Sequence, residues 1–168
     1  SNGNLLPERV PTITQALADV GYRTHAVGKL HLQPFNSWAS GWEQGKGAVS
    51  LPVLSWEDRT LWEEGRIERL PEPYYGFQAV DYVGGHVDYC FGDYANWLDE
   101  KHPGVHDLYS KERAYDVVDS TRSCWKMEIP PEFHYNHWIA DRCIDFLDTH
   151  RAGERFFLWC SFPDPHWP

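Results

Sequence analysis

Lys29 and His31 stand two residues apart in the stretch GKLHLQP, and Asp164 and His166 stand two apart in SFPDPHWP. Residues two apart in an extended segment point to one side, so Lys29 and His31 can face outward together while Leu30 points into the core. An ammonium and two imidazoles converging on one edge would form an anion pocket able to move protons. The plainer alternative is that a lysine just past a strand faces solvent and that His166 hydrogen-bonds a turn. Spacing alone leaves both readings open.

The elements that would carry these groups are readable at both ends of the chain. In PTITQALADVGY, the apolar residues Ile13, Ala16, Leu17 and Val20 recur at helical spacing. Thr12 and Gln15 form a capping-box pair, and Gly21 suits a left-handed stop. A short strand over Arg23–Val27 follows and is broken by Gly28, so residues 1–35 read as a helix and strand leading into GKLH. Residues 131–168 repeat this order. A helix of about 15 residues carries an apolar stripe of Ile139, Ala140, Cys143, Ile144, Phe146 and Leu147, with Asn136 as its N-cap. The turn HRAGER leads to a continuous apolar strand, Phe156–Phe162, the pattern of a parallel strand covered on both faces. Residues 36–130 lie between and read as an irregular, aromatic-rich insertion of loops, short helices and a small hairpin. Within it a short helix is expected over Tyr94–Glu100, and the charge-dense stretch Glu57–Arg69 reads as a solvated face. The class is α/β, in which ligands bind beyond the carboxyl ends of the parallel strands.

The 168 residues suffice for one domain with a core, and 42% of them are apolar. A net charge of −10 argues against nucleic acid as a partner. It also requires that an anionic substrate be met by a local positive pocket. No apolar run approaches 18 residues, so the chain reads as soluble and without a membrane partner. It shows no signal-peptide pattern, but a leader upstream of Ser1 is not addressed by this stretch. The four cysteines, Cys90, Cys124, Cys143 and Cys160, lack metal-clip spacing, which argues against zinc. Cys143 and Cys160 read as buried thiols. Cys90 and Cys124 could pair, and the redox compartment stays open. His86, His134 and His137 read as surface or structural residues, although His134 and His137 have a spacing that could clasp a metal.

The stretch PTITQALADVGYRTHAVGKLHLQP is similar to the sulfatase segment that runs from Pro-Thr through Gly-Tyr-x-Thr to Gly-Lys-x-His-Leu. The block PPEFHYNHWIADRCIDFLDTHRAGERFFLWCSFPDPHWP resembles the later sulfatase block in which a helix and strand lead to Phe-x-Asp-Pro-His-x-Pro. YYGFQAVDYVGGHVDYCFGDYANWL resembles the region that links them. Together they resemble the sulfatases of the alkaline phosphatase-like superfamily, which implies part of that superfamily's α/β sandwich. The resemblance implies catalytic roles for Lys29, His31 and His166. Lys29 would contact a sulfate oxygen and the catalytic aldehyde hydrate, and His31 would hydrogen-bond that hydrate and help collapse the sulfated intermediate. His166 would lie at the sulfate and leaving oxygen as proton donor, so that Lys29 and His166 also bind substrate. Asp164 would serve the turn, its side chain bonding to backbone ahead of Pro165.

Sulfatases also share a Cys/Ser-x-Pro-x-Arg motif whose first residue becomes formylglycine, paired acidic residues for calcium, and a later Asp-Asn/His pair with a lysine. None of these stands in this sequence. The expectation is therefore an internal fragment of a sulfatase catalytic domain. Calcium would be held by ligands outside this chain, with no metal bound by the chain alone. A sulfate ester would be the substrate of the complete enzyme. The isolated chain would be inactive and prone to self-association through open sheet edges. Two other readings compete: a phosphonate monoester or phosphodiester hydrolase of the same superfamily, and a non-catalytic module stacking sugars on exposed tryptophans.

Overall fold

Thr12 caps the first helix as its sequence predicts, its side-chain oxygen accepting the Gln15 N–H at 3.1 Å. Gly21 follows with φ of +83°, and the chain turns into the first strand. In the computed structural model, residues 5–35, 55–86, 89–117 and 125–166 are described. Along the chain these form α1 (Ile13–Asp19), β1 (Arg23–Gly28), α2 (Arg59–Glu63), β2 (Ala79–Tyr82), α3 (Asp93–Lys101), β3 (Asp116–Val117), β4 (Trp125–Lys126), α4 (Tyr135–Asp148) and β5 (Phe156–Ser161), with three short 3₁₀ turns.

The fold is α/β, organised on a three-stranded parallel sheet of order β2–β1–β5. The register runs from Arg23↔Phe156 to Gly28↔Ser161 on one side of β1, and from His25↔Ala79 to Gly28↔Tyr82 on the other. Every strand therefore ends at the same edge, with Gly28, Ser161 and Tyr82 level there. β2 comes from within residues 36–130, and the short antiparallel pair β3–β4 lies in the same stretch. Successive β1 residues face opposite layers. Ala26 joins a cluster with Trp62, Ile67, Leu70, Tyr74, Phe77, Val80, Tyr82 and Phe91. Val27 joins another with Val83, Tyr94, Leu98, Tyr135, Trp138, Ile139 and Cys143. No helix among the described residues is long and apolar enough to cross a membrane.

Four expectations are corrected. Among the described residues β5 is an edge strand with one neighbour, Trp159 is 46% exposed, Phe156 and Phe162 are also exposed, and Cys160 is not buried. The apolar stripe of α1 points outward, with Ile13 at 67% and Val20 at 57% exposure. This helix docks through Thr12 and Thr14 instead, whose hydroxyls both donate to the Tyr75 carbonyl. The approach is so close that a Cβ on Gly76 would lie 2.2 Å from the Gln15 nitrogen. The cap of α4 is His134, whose Nδ1 accepts the Asn136 N–H at 3.2 Å, so Asn136 is free to use its side chain elsewhere. On α4 the buried residues include Tyr135, Trp138, Ile139, Cys143 and Phe146, while Ile144 and Leu147 face outward. Finally, Glu57–Arg69 is not a solvated face throughout: Glu57, Asp58, Trp62 and Ile67 are all buried. Cys124, and with it the question of its pairing, lies outside the described residues.

Candidate functional site

The backbone at the end of β1 is held from both sides. The Lys29 N–H donates to the Ser161 carbonyl at 2.9 Å, and the Val83 N–H donates to the Gly28 carbonyl at 3.1 Å. Gly28 has φ of +98°, and a Cβ there would stand 2.0 Å from the Ser161 oxygen. Only glycine fits so tight a passage. Past it, Lys29 and His31 gather on one ring. The Lys29 ammonium is 5.6 Å from the Phe35 ring centroid, and the His31 imidazole stacks on Phe35 at 4.1 Å and 9°.

The tail of β5 reaches across to the loop after β2. His166 stacks on His86 with centroids 3.9 Å apart and planes 18° apart. Because β1 lies between β5 and β2, this contact spans the end of β1, where Lys29 emerges. Asp164 accepts a hydrogen bond from Asn136 Nδ2 at 3.0 Å. It therefore serves the structure through a side chain on α4, which fixes the start of the His166 turn. His134 is occupied as a helix cap, and His137 lies 3.8 Å from the Asp141 carboxylate. His134 thus has the structural role expected of it, and His137 stands at the surface, its side chain 52% exposed.

Electrostatics link these groups. Burial pushes the Lys29 ammonium below its usual range, opposed by the Cys90 thiol and then the Asp164 carboxylate. His31 is also held below the usual imidazole range, first by burial and next by the Lys29 charge. A neutral His31 keeps one ring nitrogen as an acceptor, which is the form that takes a proton.

Three neighbours of this edge escape a reading by motif. His86 hydrogen-bonds Tyr89 through its Nε2, and the Arg59 guanidinium lies 5.5 Å from the Tyr89 ring centroid. A signal for His86 stands in the sequence: QAVDYVGGH repeats the strand, glycine and basic-residue order of THAVGKLH. Arg59 and Tyr89 carry no such signal.

Glu57 is the other unanticipated residue. It is 0% exposed, and burial pushes its carboxyl up to about 7, although Tyr74, Leu32, Gln33 and Tyr82 all donate hydrogen bonds that oppose the rise. The folded pKa lies above the ordinary value of 4.5, so the folded state keeps a proton that the unfolded chain has released. Stability is therefore lost as pH rises from about 4.5 to about 7, by roughly 3 kcal/mol. Asp93, pushed up to about 6 by burial, acts in the same direction, so the effect is isolated by difference. Glu57→Gln should gain roughly 3 kcal/mol on the wild type between pH 4.5 and pH 7.5 in urea unfolding. A difference independent of pH would mean that Glu57 titrates normally.

Among the described residues, no three His, Cys, Asp or Glu side chains converge in a way that could hold a metal ion.

No family model and no solved structure matches the chain. A comparison with curated proteins finds the arylsulfatase of Clostridium perfringens (strain 13 / Type A), 23% identical over 164 residues. The match covers 94% of this chain but 27% of the relative, so the chain spans about a quarter of that protein's length. This chain is thus distantly similar to one segment of an arylsulfatase.

Proposed function

We propose that this chain is the segment of a sulfatase-type hydrolase that binds the sulfate group and protonates the leaving oxygen. The observation that carries the reading is the junction of β1 and β5. Two motifs more than 130 residues apart in sequence sit on adjacent parallel strands that end level with each other. Lys29 supplies a half-buried positive charge to a sulfate oxygen, and partial desolvation strengthens that attraction relative to water. His31 is exposed at its surface, yet partial desolvation and then the Lys29 charge hold its pKa below the usual imidazole range, which suits it to hold or accept a proton beside Lys29. His166, stacked on His86, donates a proton to the departing alkoxide. A formylglycine hydrate and a calcium ion, both supplied from outside this chain, would provide the nucleophile and the metal.

On this reading the three strands belong to a larger sandwich of the alkaline phosphatase type, which would cover the open side of β5. The exposed Phe156 and Trp159 on the two faces of β5, and Phe162 just past its end, support it, since large apolar groups left open along an edge strand favour a covering neighbour.

The test uses the longer protein that contains this segment. His166→Ala should slow hydrolysis of an alkyl sulfate by roughly 10²-fold or more while slowing an activated aryl sulfate far less, because a good leaving group needs no proton. Equal losses on the two esters would remove the proton-donor role. Turnover of an aryl phosphonate in preference to either sulfate would replace the sulfatase reading with a phosphonate monoester hydrolase. The 168-residue chain alone should show no turnover of any of these esters.

A further inference from the structure

Directly after His31, two consecutive backbone amides aim at one buried oxygen. Glu57 Oε1 accepts the Leu32 N–H at 3.0 Å and the Gln33 N–H at 3.1 Å, and it also accepts the Tyr74 hydroxyl at 2.9 Å. Its Oε2 accepts the Tyr82 hydroxyl at 3.4 Å. Among the described residues, the groups that act most on this carboxyl are tyrosines and amides, not basic side chains. A buried carboxylate without a cation is costly, and an apolar residue of that size would spare the cost. The geometry shows what the carboxylate accomplishes in return.

We propose that Glu57 is the positioning residue of the Lys29–His31 loop, fixing it through the Leu32 and Gln33 amides so that both side chains meet on Phe35. Its consequence for catalysis rests on the sulfate-binding reading above.

The surrounding bonds support this function. Gln33 is itself buried and ties the same two segments together: its Oε1 accepts the Trp56 N–H at 2.7 Å, and its Nε2 donates to the Tyr75 hydroxyl at 3.0 Å. Ser55 Oγ donates to the Pro34 carbonyl at 2.6 Å, and the Arg59 N–H donates to the Phe35 carbonyl at 2.8 Å. The segment 55–59 thus acts as a template along which residues 32–35 are laid, with Glu57 at its centre. Phe35, the ring that gathers Lys29 and His31, is the last residue so placed. The titratable groups facing Glu57 are the Tyr74 and Tyr82 hydroxyls, with Tyr75 next to them. Burial pushes all three above the usual range of tyrosine, so they remain protonated donors at neutral pH. The carboxyl itself, raised to about 7, is the group that changes state there. Ionised, it makes charge-assisted bonds to both amides, which are about twice as strong as neutral ones. A local opening that breaks these two bonds but leaves Glu57 buried raises its pKa further, because both amides lower it, so ionisation favours the closed loop over that opening even as it lowers global stability.

The test uses the 168-residue chain and amide hydrogen exchange read by NMR, with rates corrected for intrinsic pH dependence. In the wild type, protection at Leu32 and Gln33 relative to Val27 should rise by roughly tenfold as pH increases through about 7. Glu57→Gln, which keeps an acceptor oxygen but loses the charge, should abolish that rise and leave Val27 protected. A change of similar size at all three amides would show a general loss of stability and overturn the proposal. So would a wild type whose Leu32 and Gln33 protection ignores pH, an outcome readable even if the variant does not fold. Titration with inorganic sulfate separates this result from the functional reading. If sulfate shifts the His31 ring signals of the wild type and binds Glu57→Gln about tenfold more weakly, both stand. If exchange follows Glu57 but sulfate never shifts His31, the positioning role stands and the sulfate reading falls.

Discussion

On the proposed sulfatase reading, Lys29→Ala in the longer protein should lower kcat by roughly 10²-fold or more, equivalent to about 2.7 kcal/mol of lost transition-state stabilisation. Negative charge on the sulfate and leaving oxygens is redistributed during cleavage, and a fixed, partly desolvated ammonium stabilises it without reorganisation. On the proposed sulfate-binding reading, Lys29 is placed for that role. Its backbone is pinned to Ser161, and its ammonium is drawn toward the Phe35 ring. A rise in KM with unchanged kcat would show instead that Lys29 binds ground state and transition state alike. The chain alone offers a second readout. The Lys29 charge is one cause of the lowered His31 pKa, so Lys29→Ala should shift the His31 titration upward in an NMR pH series. An unchanged titration would place the two groups out of electrostatic reach.

The second large effect is expected from Gly28→Ala, a change of one methyl group. At φ of +98° an alanine is strained, costing about 1–2 kcal/mol. Its Cβ would also lie 2.0 Å from the Ser161 oxygen and 2.9 Å from the Ser161 carbonyl carbon. Both are backbone atoms that cannot rotate away, so β1 and β5 must separate at their carboxyl ends. Overpacking of this kind costs a further 1–3 kcal/mol or so, for a total of roughly 2–5 kcal/mol. The Lys29 bond to Ser161 would be lost with it. Gly153→Ala is the matched control: its φ is +86°, but nothing lies within 4 Å of the added Cβ. It should cost about 1 kcal/mol, the conformational part alone. Urea unfolding of the two variants tests the argument, and similar losses in both would mean that the strands part without resistance.

Much of the fold that carries the candidate site is legible in the sequence by itself. Local signals are strong where the chain's own chemistry decides its conformation. The Thr12–Gln15 cap, the Gly21 stop, the helix before β5 and the short helix at Asp93–Lys101 all need only neighbouring residues. The parallel pattern of the strands follows from their apolar runs, and with it the expectation that GKLH and PDPH leave a sheet at its carboxyl edge. The residues' nearness in sequence to strand ends suffices for that.

Tertiary structure decides what depends on neighbours distant in sequence. Which strand lies at the centre is not written in either apolar run: among the described residues β1 has a strand on each side, whereas β5 has one partner, and Trp159 is partly open. The face that α1 buries is set by a backbone carbonyl at Tyr75 and the absence of a side chain at Gly76, not by its apolar stripe. His86 meets His166 only because β1 separates the two strands that carry them. In the sequence Glu57 is one charge in a charge-dense run. In the fold it is a buried acceptor, because four donors from three separate parts of the chain converge on it. A sequence reports the conformational preferences and chemistry of each residue. Burial and charge state depend on what the fold brings within about 4 Å, and that is a property of the packed molecule.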